Sequence, residues 1–142
     1  MLIALTICSS INSQVSTSGT TQNGNYSSAI GYYSYAGPGA VSTAMGRSTD
    51  ATGWASTSMG GYTLASGDAS TAIGYYSTAS DYASLAIGQY NSSGSSVTNS
   101  ATAFNTANTA FVIGNGVDSS NRSDAFKVMF SGDTYVSGEL YI

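Results

Sequence analysis

The chain repeats a short pattern at an almost constant interval. The pattern ends in Ala-Ile-Gly or a close variant, and its final glycines are separated by 15, 14, 14 and 14 residues. These glycines are Gly31, Gly46, Gly60, Gly74 and Gly88. A fixed internal period is the signature of a repeat architecture in which each repeat is one structural unit. The chain therefore contains five copies of one unit, and the interval limits what that unit can be.

A 14-residue repeat is too short for helical or leucine-rich units, which need roughly 20 residues or more. Abundant serine, threonine and glycine also disfavour helices. Two strands of about four or five residues and two tight turns account for the interval. Each repeat is thus predicted to form one coil of a parallel β-solenoid. At about 4.8 Å per coil, five coils make a rod of about 25 Å.

Two adjacent apolar positions precede each glycine. Neighbouring strand residues face opposite sides, so consecutive apolar positions indicate a strand buried on both faces. One face is expected to line the coil interior and the other to pack against partner chains in a closed oligomer. The alternative is a monomer whose second face tolerates solvent. The predicted structural core is Ala29, Ile30, Ala44, Met45, Met59, Ala72, Ile73, Ala86 and Ile87, and the five glycines are predicted as coil turns.

Composition favours an ordered repeat over a disordered segment. Only 7% of the residues are charged, against about 25% in an ordinary globular protein. A disordered chain has few aromatic residues and no periodicity, whereas this chain has 11 tyrosines and keeps its phase. A net charge of −4 with three basic residues argues against nucleic-acid binding. No run of about 18 apolar residues is present to span a membrane as a helix.

The composition of the sequence excludes a catalytic triad. It has no histidine, so none of its many serines has the base that activates a nucleophile. The seven acidic residues are scattered, and single acids near coil corners more often form turns. We therefore expect no enzyme activity, no bound metal and no cofactor.

Tyrosines recur two positions after the glycines. They are Tyr33, Tyr62, Tyr76 and Tyr90, with Ser48 as the single gap. Because stacked coils place equivalent residues above one another, these tyrosines are predicted to form a column. The column is either an exposed stripe for binding, since tyrosine offers contact area at low entropy cost, or a structural ladder of packed rings. The two roles are compatible, and the column is the candidate surface-binding site.

The repeats SSAIG, STAMG, STSMG, STAIG and SLAIG, each followed by a YxxAxG-like half, resemble the head repeats of YadA-type trimeric autotransporter adhesins. The resemblance covers Tyr26 to about Gly94, with departures at Ser58, Leu85 and Asp81. It implies an all-β fold, a left-handed parallel β-roll of 14-residue coils with three chains in one head. It also implies display on a bacterial outer membrane and attachment to a receptor or matrix component whose identity the sequence does not specify.

The repeats are predicted to occupy residues 15–94. Residues 1–14 form a possible truncated signal peptide, because an apolar run is followed by small polar residues, and an ordinary first strand is the alternative. The segment contains Cys8, the single cysteine of the chain. Its removal would leave a mature chain without a disulfide.

Residues 95–142 are predicted to form a diverged coil, marked by Ile113 and Gly114, and then a capping β segment. A solenoid needs such a terminal cap to cover its last coil. Strands are expected at 126–130 and 134–136, joined by a turn. The segment also resembles the stretch that precedes endosialidase-type chaperone domains in tail-fibre-like surface proteins.

Together these features predict a secreted, surface-displayed, homotrimeric adhesin head. A structural segment of a phage-like tail fibre is the first alternative, and binding by the isolated domain would separate the two. An ice-binding solenoid is the second alternative, and it needs a regular threonine array. Thr43, Thr57 and Thr71 would stack, but Ser28 and Leu85 interrupt that column.

Overall fold

The computed structural model describes residues 18–38 and 41–141. Within these ranges the chain forms thirteen β-strands and no helix, so the fold is all-β, as predicted. Helices that are long and apolar enough to cross a membrane are accordingly absent from the described ranges. The predicted signal peptide at residues 1–14 lies outside them.

Each repeat contributes one long and one short strand. The long strands are β2 (Ser28–Tyr32), β4 (Thr43–Arg47), β6 (Thr57–Gly61), β8 (Thr71–Tyr75) and β10 (Leu85–Gln89). The short strands are β1 (Thr21–Gln22), β3 (Tyr35–Ala36), β5 (Asp50–Ala51), β7 (Leu64–Ala65) and β9 (Thr78–Ala79). The short strands have two residues, fewer than the sequence predicts, because a bend and a turn follow them, for example at Gly67 to Ala69.

Successive coils pair in parallel and without a shift in register. Ile73 lies opposite Met59 on one side and Ile87 on the other. The short strands form a five-stranded sheet in the order β1-β3-β5-β7-β9, and the long strands belong to an eight-stranded sheet. The protein is therefore a parallel β-solenoid of about five turns with the spacing that the sequence predicts.

Small side chains fill the solenoid interior. The buried alanines come from both sheets and form two contact clusters. They are Ala29, Ala44, Ala72 and Ala86 from long strands and Ala36, Ala51, Ala65 and Ala79 from short strands. Ser58 takes the alanine position in β6, and its hydroxyl lies 2.7 Å from the Thr63 hydroxyl. This contact satisfies the buried polar group and accounts for the departure from alanine.

The isoleucines and methionines beside these alanines lie on the outer face of the long-strand sheet. Met45 is 39% exposed and Ile73 is 38% exposed. The predicted core therefore divides into alanines in the interior and a row on the outside of the single chain, because neighbouring strand residues point to opposite faces. We call this the outer apolar row. It comprises Ile30, Met45, Met59, Ile73 and Ile87.

The repeat glycines do not form the coil turns predicted for them. Each is the fourth residue of a long strand, and Gly60, for example, has a φ of 116°. A Cβ on Gly60 would lie 2.1 Å from the carbonyl oxygen of Gly74 in the next coil. The glycines are thus required by the close approach of neighbouring coils. The turns begin two residues later, at Tyr33, Ser48, Tyr62, Tyr76 and Tyr90.

The C-terminal part continues the long-strand sheet. β11 (Thr109–Asn115) pairs in parallel with β10, with Ile113 opposite Ile87 and Gly114 opposite Gly88. β11 thus adds a further parallel strand to the stack, in the segment where a diverged coil is predicted. β12 (Asp124–Met129) and β13 (Thr134–Val136) follow as an antiparallel hairpin on the edge of β11.

Candidate functional site

The predicted tyrosine column occupies one corner of the solenoid. Tyr33, Tyr62, Tyr76 and Tyr90 have φ values of 53°, 55°, 52° and 43°. Such left-handed backbone costs an ordinary residue about 1–2 kcal/mol. Ser48 has the same conformation, with a φ of 51°, so the coil accepts this cost with or without an aromatic side chain.

Three of these tyrosines stack face to face. The ring centroids of Tyr62 and Tyr76 are 4.6 Å apart with an interplanar angle of 5°. Those of Tyr76 and Tyr90 are 4.8 Å apart with an angle of 9°. The spacing matches the distance between neighbouring strands, so the coil stack sets the ring stack. We call Tyr62, Tyr76 and Tyr90 the tyrosine ladder.

Tyr33 does not belong to the tyrosine ladder. Ser48 occupies the intervening corner, and the Tyr33 ring packs edge-on against Tyr32 with a centroid distance of 4.4 Å. Both rings are open to solvent, with Tyr33 58% and Tyr32 48% exposed. The predicted binding column thus separates into a stacked part and an exposed aromatic pair.

An arginine lies over each end of the tyrosine ladder. The guanidinium carbon of Arg47 is 5.2 Å from the Tyr62 ring centroid, and that of Arg122 is 5.8 Å from the Tyr90 centroid. Arg122 Nη1 also donates hydrogen bonds to the carbonyl oxygens of Asn91 at 3.1 Å and Tyr76 at 3.4 Å. Cation–π attraction of this kind stabilises the rings, and the terminal ring faces are covered.

Tyr75 supports the tyrosine ladder from the side. Its ring meets Tyr62, Tyr76 and Tyr90 edge-on, at centroid distances of 6.0, 4.8 and 5.8 Å. Partial burial, together with Tyr75, Tyr76 and Asp118, raises the pKa of Tyr90 above its ordinary value. Tyr90 therefore retains its phenolic proton at neutral pH, and its hydroxyl group can serve as a neutral hydrogen-bond donor.

The ladder geometry limits how a ligand can approach. Ring faces within the ladder contact one another, so a ligand cannot stack on them and is left with ring edges and hydroxyl groups. Tyr32 and Tyr33 keep exposed ring surface that a partner could cover. The ring contacts of the tyrosine ladder thus indicate a structural role. Tyr32 and Tyr33 offer the more open aromatic surface.

Several residues at this side of the molecule were not singled out from the sequence. Arg47 occupies the strand position that Tyr32 and Tyr75 hold in other coils. The register of the repeats is therefore the sequence signal that places Arg47 beside the tyrosines. Arg122 is 32 residues beyond Tyr90, and only the fold brings the two together. In the part of the chain that the structure describes, no group of three or more histidine, cysteine or acidic residues could hold a metal ion.

The comparison with known proteins bears on the same coils. Residues 65–91 match the family model for the YadA head domain repeat, in two copies. The chain carries YadA-like head repeats. This repeat and the β-solenoid are typical of adhesins of the trimeric autotransporter type rather than of enzymes. No curated protein and no solved structure gives a significant match.

The matched YadA-like segment includes the centre of the candidate site. It contains β8, β9 and β10, and with them Tyr76 and Tyr90 of the tyrosine ladder. It also contains Ile73 and Ile87 of the outer apolar row. The family match therefore covers part of each feature, since Tyr62 of the ladder and the first three members of the row precede residue 65.

Proposed function

We propose that the chain is a surface-displayed adhesin head that assembles as a homotrimer and attaches to a receptor or matrix component. The outer apolar row carries this proposal. Its members lie one above another on five paired strands, and Met45 and Ile73 leave more than a third of their surface uncovered. Contiguous apolar surface of this kind marks an interaction site.

The occupant that we propose for the outer apolar row is two further copies of this chain. YadA-like repeats are of the trimeric autotransporter type, and a closed ring of three gives every copy the same environment. Each solenoid would turn its row towards a shared axis. Three copies of one weak contact surface would then attach with the avidity of a multivalent ligand.

A structural segment of a fibre is the second candidate, and the tyrosine ladder favours it. Rings that stack on one another contribute to stability, at about 0.2–1 kcal/mol for each cross-strand pair, and need no external ligand. The two candidates share one fold and differ in whether the outer surface binds anything. The exposed rings of Tyr32 and Tyr33 are the surface that we assign to attachment.

Attachment of the purified protein to matrix-coated surfaces and to cells distinguishes the two candidates. We expect the double variant Tyr32→Ser with Tyr33→Ser to lose attachment while its melting temperature stays nearly unchanged. The matched variant Tyr62→Ser with Tyr76→Ser should melt earlier, because two stacked contacts are lost, while its folded fraction still attaches.

If only the Tyr62 and Tyr76 double variant loses attachment, and its melting temperature is unchanged, the binding site is the tyrosine ladder. An unmodified trimer that attaches to none of the tested surfaces would support the fibre segment instead.

A further inference from the structure

A second potential binding site lies beyond the C-terminal end of the tyrosine ladder. A cleft of about 390 Å³ opens beside the β12–β13 hairpin, within the range of roughly 300–1,000 Å³ found for small-molecule sites. Its lining includes Ser92, Arg122, Asp124, Lys127, Tyr135 and Ser137. The cleft is apart from the exposed pair Tyr32 and Tyr33, so its occupancy is independent of the attachment proposed above.

Two of the three basic residues of this acidic chain line the cleft, and within the described residues neither forms an ion pair with an acid. The Arg122 guanidinium contacts the Tyr90 ring and two carbonyl oxygens. The Lys127 ammonium lies 4.2 Å from the centroid of the Tyr135 ring, its neighbour across the hairpin. Neutral groups thus hold both cations in place, and their charge is available to a ligand.

The acid in the cleft, Asp124, is held by the backbone. Its Oδ1 accepts a hydrogen bond from the Ser92 N–H at 2.7 Å, and its Oδ2 accepts one from the Ser93 N–H at 2.9 Å. The lining of the cleft thus carries two cations and one carboxylate, and Asp118 lies close enough to the Tyr90 ring to act on it. That balance suits a ligand with a single negative charge better than a polyanion.

We propose that this cleft binds a saccharide that carries one carboxylate. The planar guanidinium of Arg122 matches a carboxylate in shape and hydrogen bonding, and Lys127 adds a second positive charge. The hydroxyl groups of Ser92 and Ser137 suit the hydroxyl groups of a sugar. The apolar surface of Tyr135, which lines the same cleft, suits the C–H face of a sugar ring.

Titration of the full chain with a matched pair of sugars tests this site. The probes are methyl glucuronide and methyl glucoside, which differ at one carbon that carries a carboxylate or a hydroxymethyl group. For a ligand of about 14 non-hydrogen atoms, small-ligand efficiency gives a dissociation constant on the order of 1 mM. Ligand-observed NMR is therefore the suitable measurement, and the glucuronide should bind at least about tenfold more tightly than the glucoside.

Three variants locate the site on the surface. Lys127→Met keeps an unbranched apolar stem over Tyr135 and removes the ammonium group with its charge and N–H donors, and we expect it to weaken glucuronide binding about tenfold. Arg122→Gln should have a similar effect. Arg47→Gln is the matched control, because Arg47 lies over the other end of the tyrosine ladder, away from the cleft, and its loss should leave glucuronide binding unchanged.

Several results would overturn the proposal. Equal binding of glucuronide and glucoside would show that the carboxylate is not recognised, and equal binding of acetate and glucuronide would show that the sugar is not. Absence of saturable glucuronide binding up to about 10 mM, well above the expected constant, would exclude the site. If Arg122→Gln lowers the melting temperature, the Lys127→Met variant alone tests the site. Unchanged glucuronide binding by Lys127→Met would then contradict the proposal.

Discussion

Each repeat glycine makes room for a carbonyl group of the neighbouring coil. A Cβ on Gly31, Gly46 or Gly74 would lie 1.9 or 2.0 Å from the carbonyl oxygen of the next glycine in the column. Real Cβ atoms do not approach backbone oxygen so closely, and the obstructing atom belongs to backbone that cannot rotate away. One glycine per coil is therefore a condition for parallel stacking at this separation.

Gly60 and Gly61 offer a matched test of this requirement. In Gly60→Ala the new methyl group would meet the Gly74 carbonyl at 2.1 Å, whereas in Gly61→Ala it would meet only the Tyr75 ring edge at 3.2 Å. We expect Gly60→Ala to lower the free energy of unfolding by about 3 kcal/mol or more. Gly61→Ala should cost clearly less. Chemical denaturation measures both, and equal losses would contradict the close-approach explanation.

The corner residues show where inference from single residues reaches its limit. Glycine ordinarily suggests a turn, yet here glycine lies in the strand and tyrosine adopts the left-handed corner. The period, the register and the tyrosine column are all visible in the sequence. The assignment of turns to glycines was wrong because close approach between coils, a tertiary effect, decides where glycine is required.

At the scale of elements, the short-strand sheet ends without a further strand beyond β9. Asn91 takes the place of that strand. Its Oδ1 accepts a hydrogen bond from the Thr78 N–H at 2.8 Å, and its Nδ2 donates to the Thr78 carbonyl oxygen at 2.8 Å. One side chain thus satisfies both polar groups of an edge residue that is itself buried, as buried backbone requires.

Removal of the Asn91 amide should destabilise this end of the solenoid. Asn91→Ala leaves the Thr78 N–H and carbonyl without partners, at about 1–3 kcal/mol for each buried group. Asn105→Ala is the control, because the Asn105 side-chain hydrogen bonds are exposed. Denaturation should show the difference in stability, and hydrogen exchange should be accelerated at the Thr78 amide. Equal stability of the two variants would contradict a capping role for Asn91.

Asp81 explains the departure from the repeat at the last coil. Gly53 and Gly67 lie against the backbone of a following coil. A Cβ added to Gly53 or Gly67 would lie 2.1 or 2.2 Å from a carbonyl oxygen of that coil, so a side chain would not fit there. Asp81 instead directs its carboxylate to the N–H groups of Thr98 at 2.6 Å and Thr109 at 2.8 Å. It thereby fixes the insertion between β10 and β11. The sequence shows that aspartate replaces glycine at position 81. The hydrogen-bond partners of Asp81 lie 17 and 28 residues away, outside the repeat period, so the sequence does not indicate them.

At the scale of the whole molecule, adjacent positions in one strand meet two different environments. Ala72 is fully buried in the interior, while Ile73 is 38% exposed on the outer apolar row. The sequence predicts two apolar faces, and alternation along the strand explains why one closes within the chain and the other does not. In the proposed trimer the outer face is covered by a second molecule, and the periodicity of one chain carries no signal for that contact.

Aspartate substitutions at these two neighbouring positions separate folding from association. The unmodified protein should give three chain masses of 14.4 kDa by light scattering. Ala72→Asp would bury a charge that has no partner, at a cost of several kcal/mol, and should abolish the β-sheet signal in circular dichroism. Ile73→Asp places its charge on the outer surface of the chain. It should retain the sheet signal and give one chain mass, because repulsion between copies and lost apolar contact oppose the trimer.

An unmodified chain that is folded at a single mass would exclude the trimer. A trimeric Ile73→Asp variant would mean that the copies associate through another face, and a folded Ala72→Asp variant would contradict the assignment of the interior.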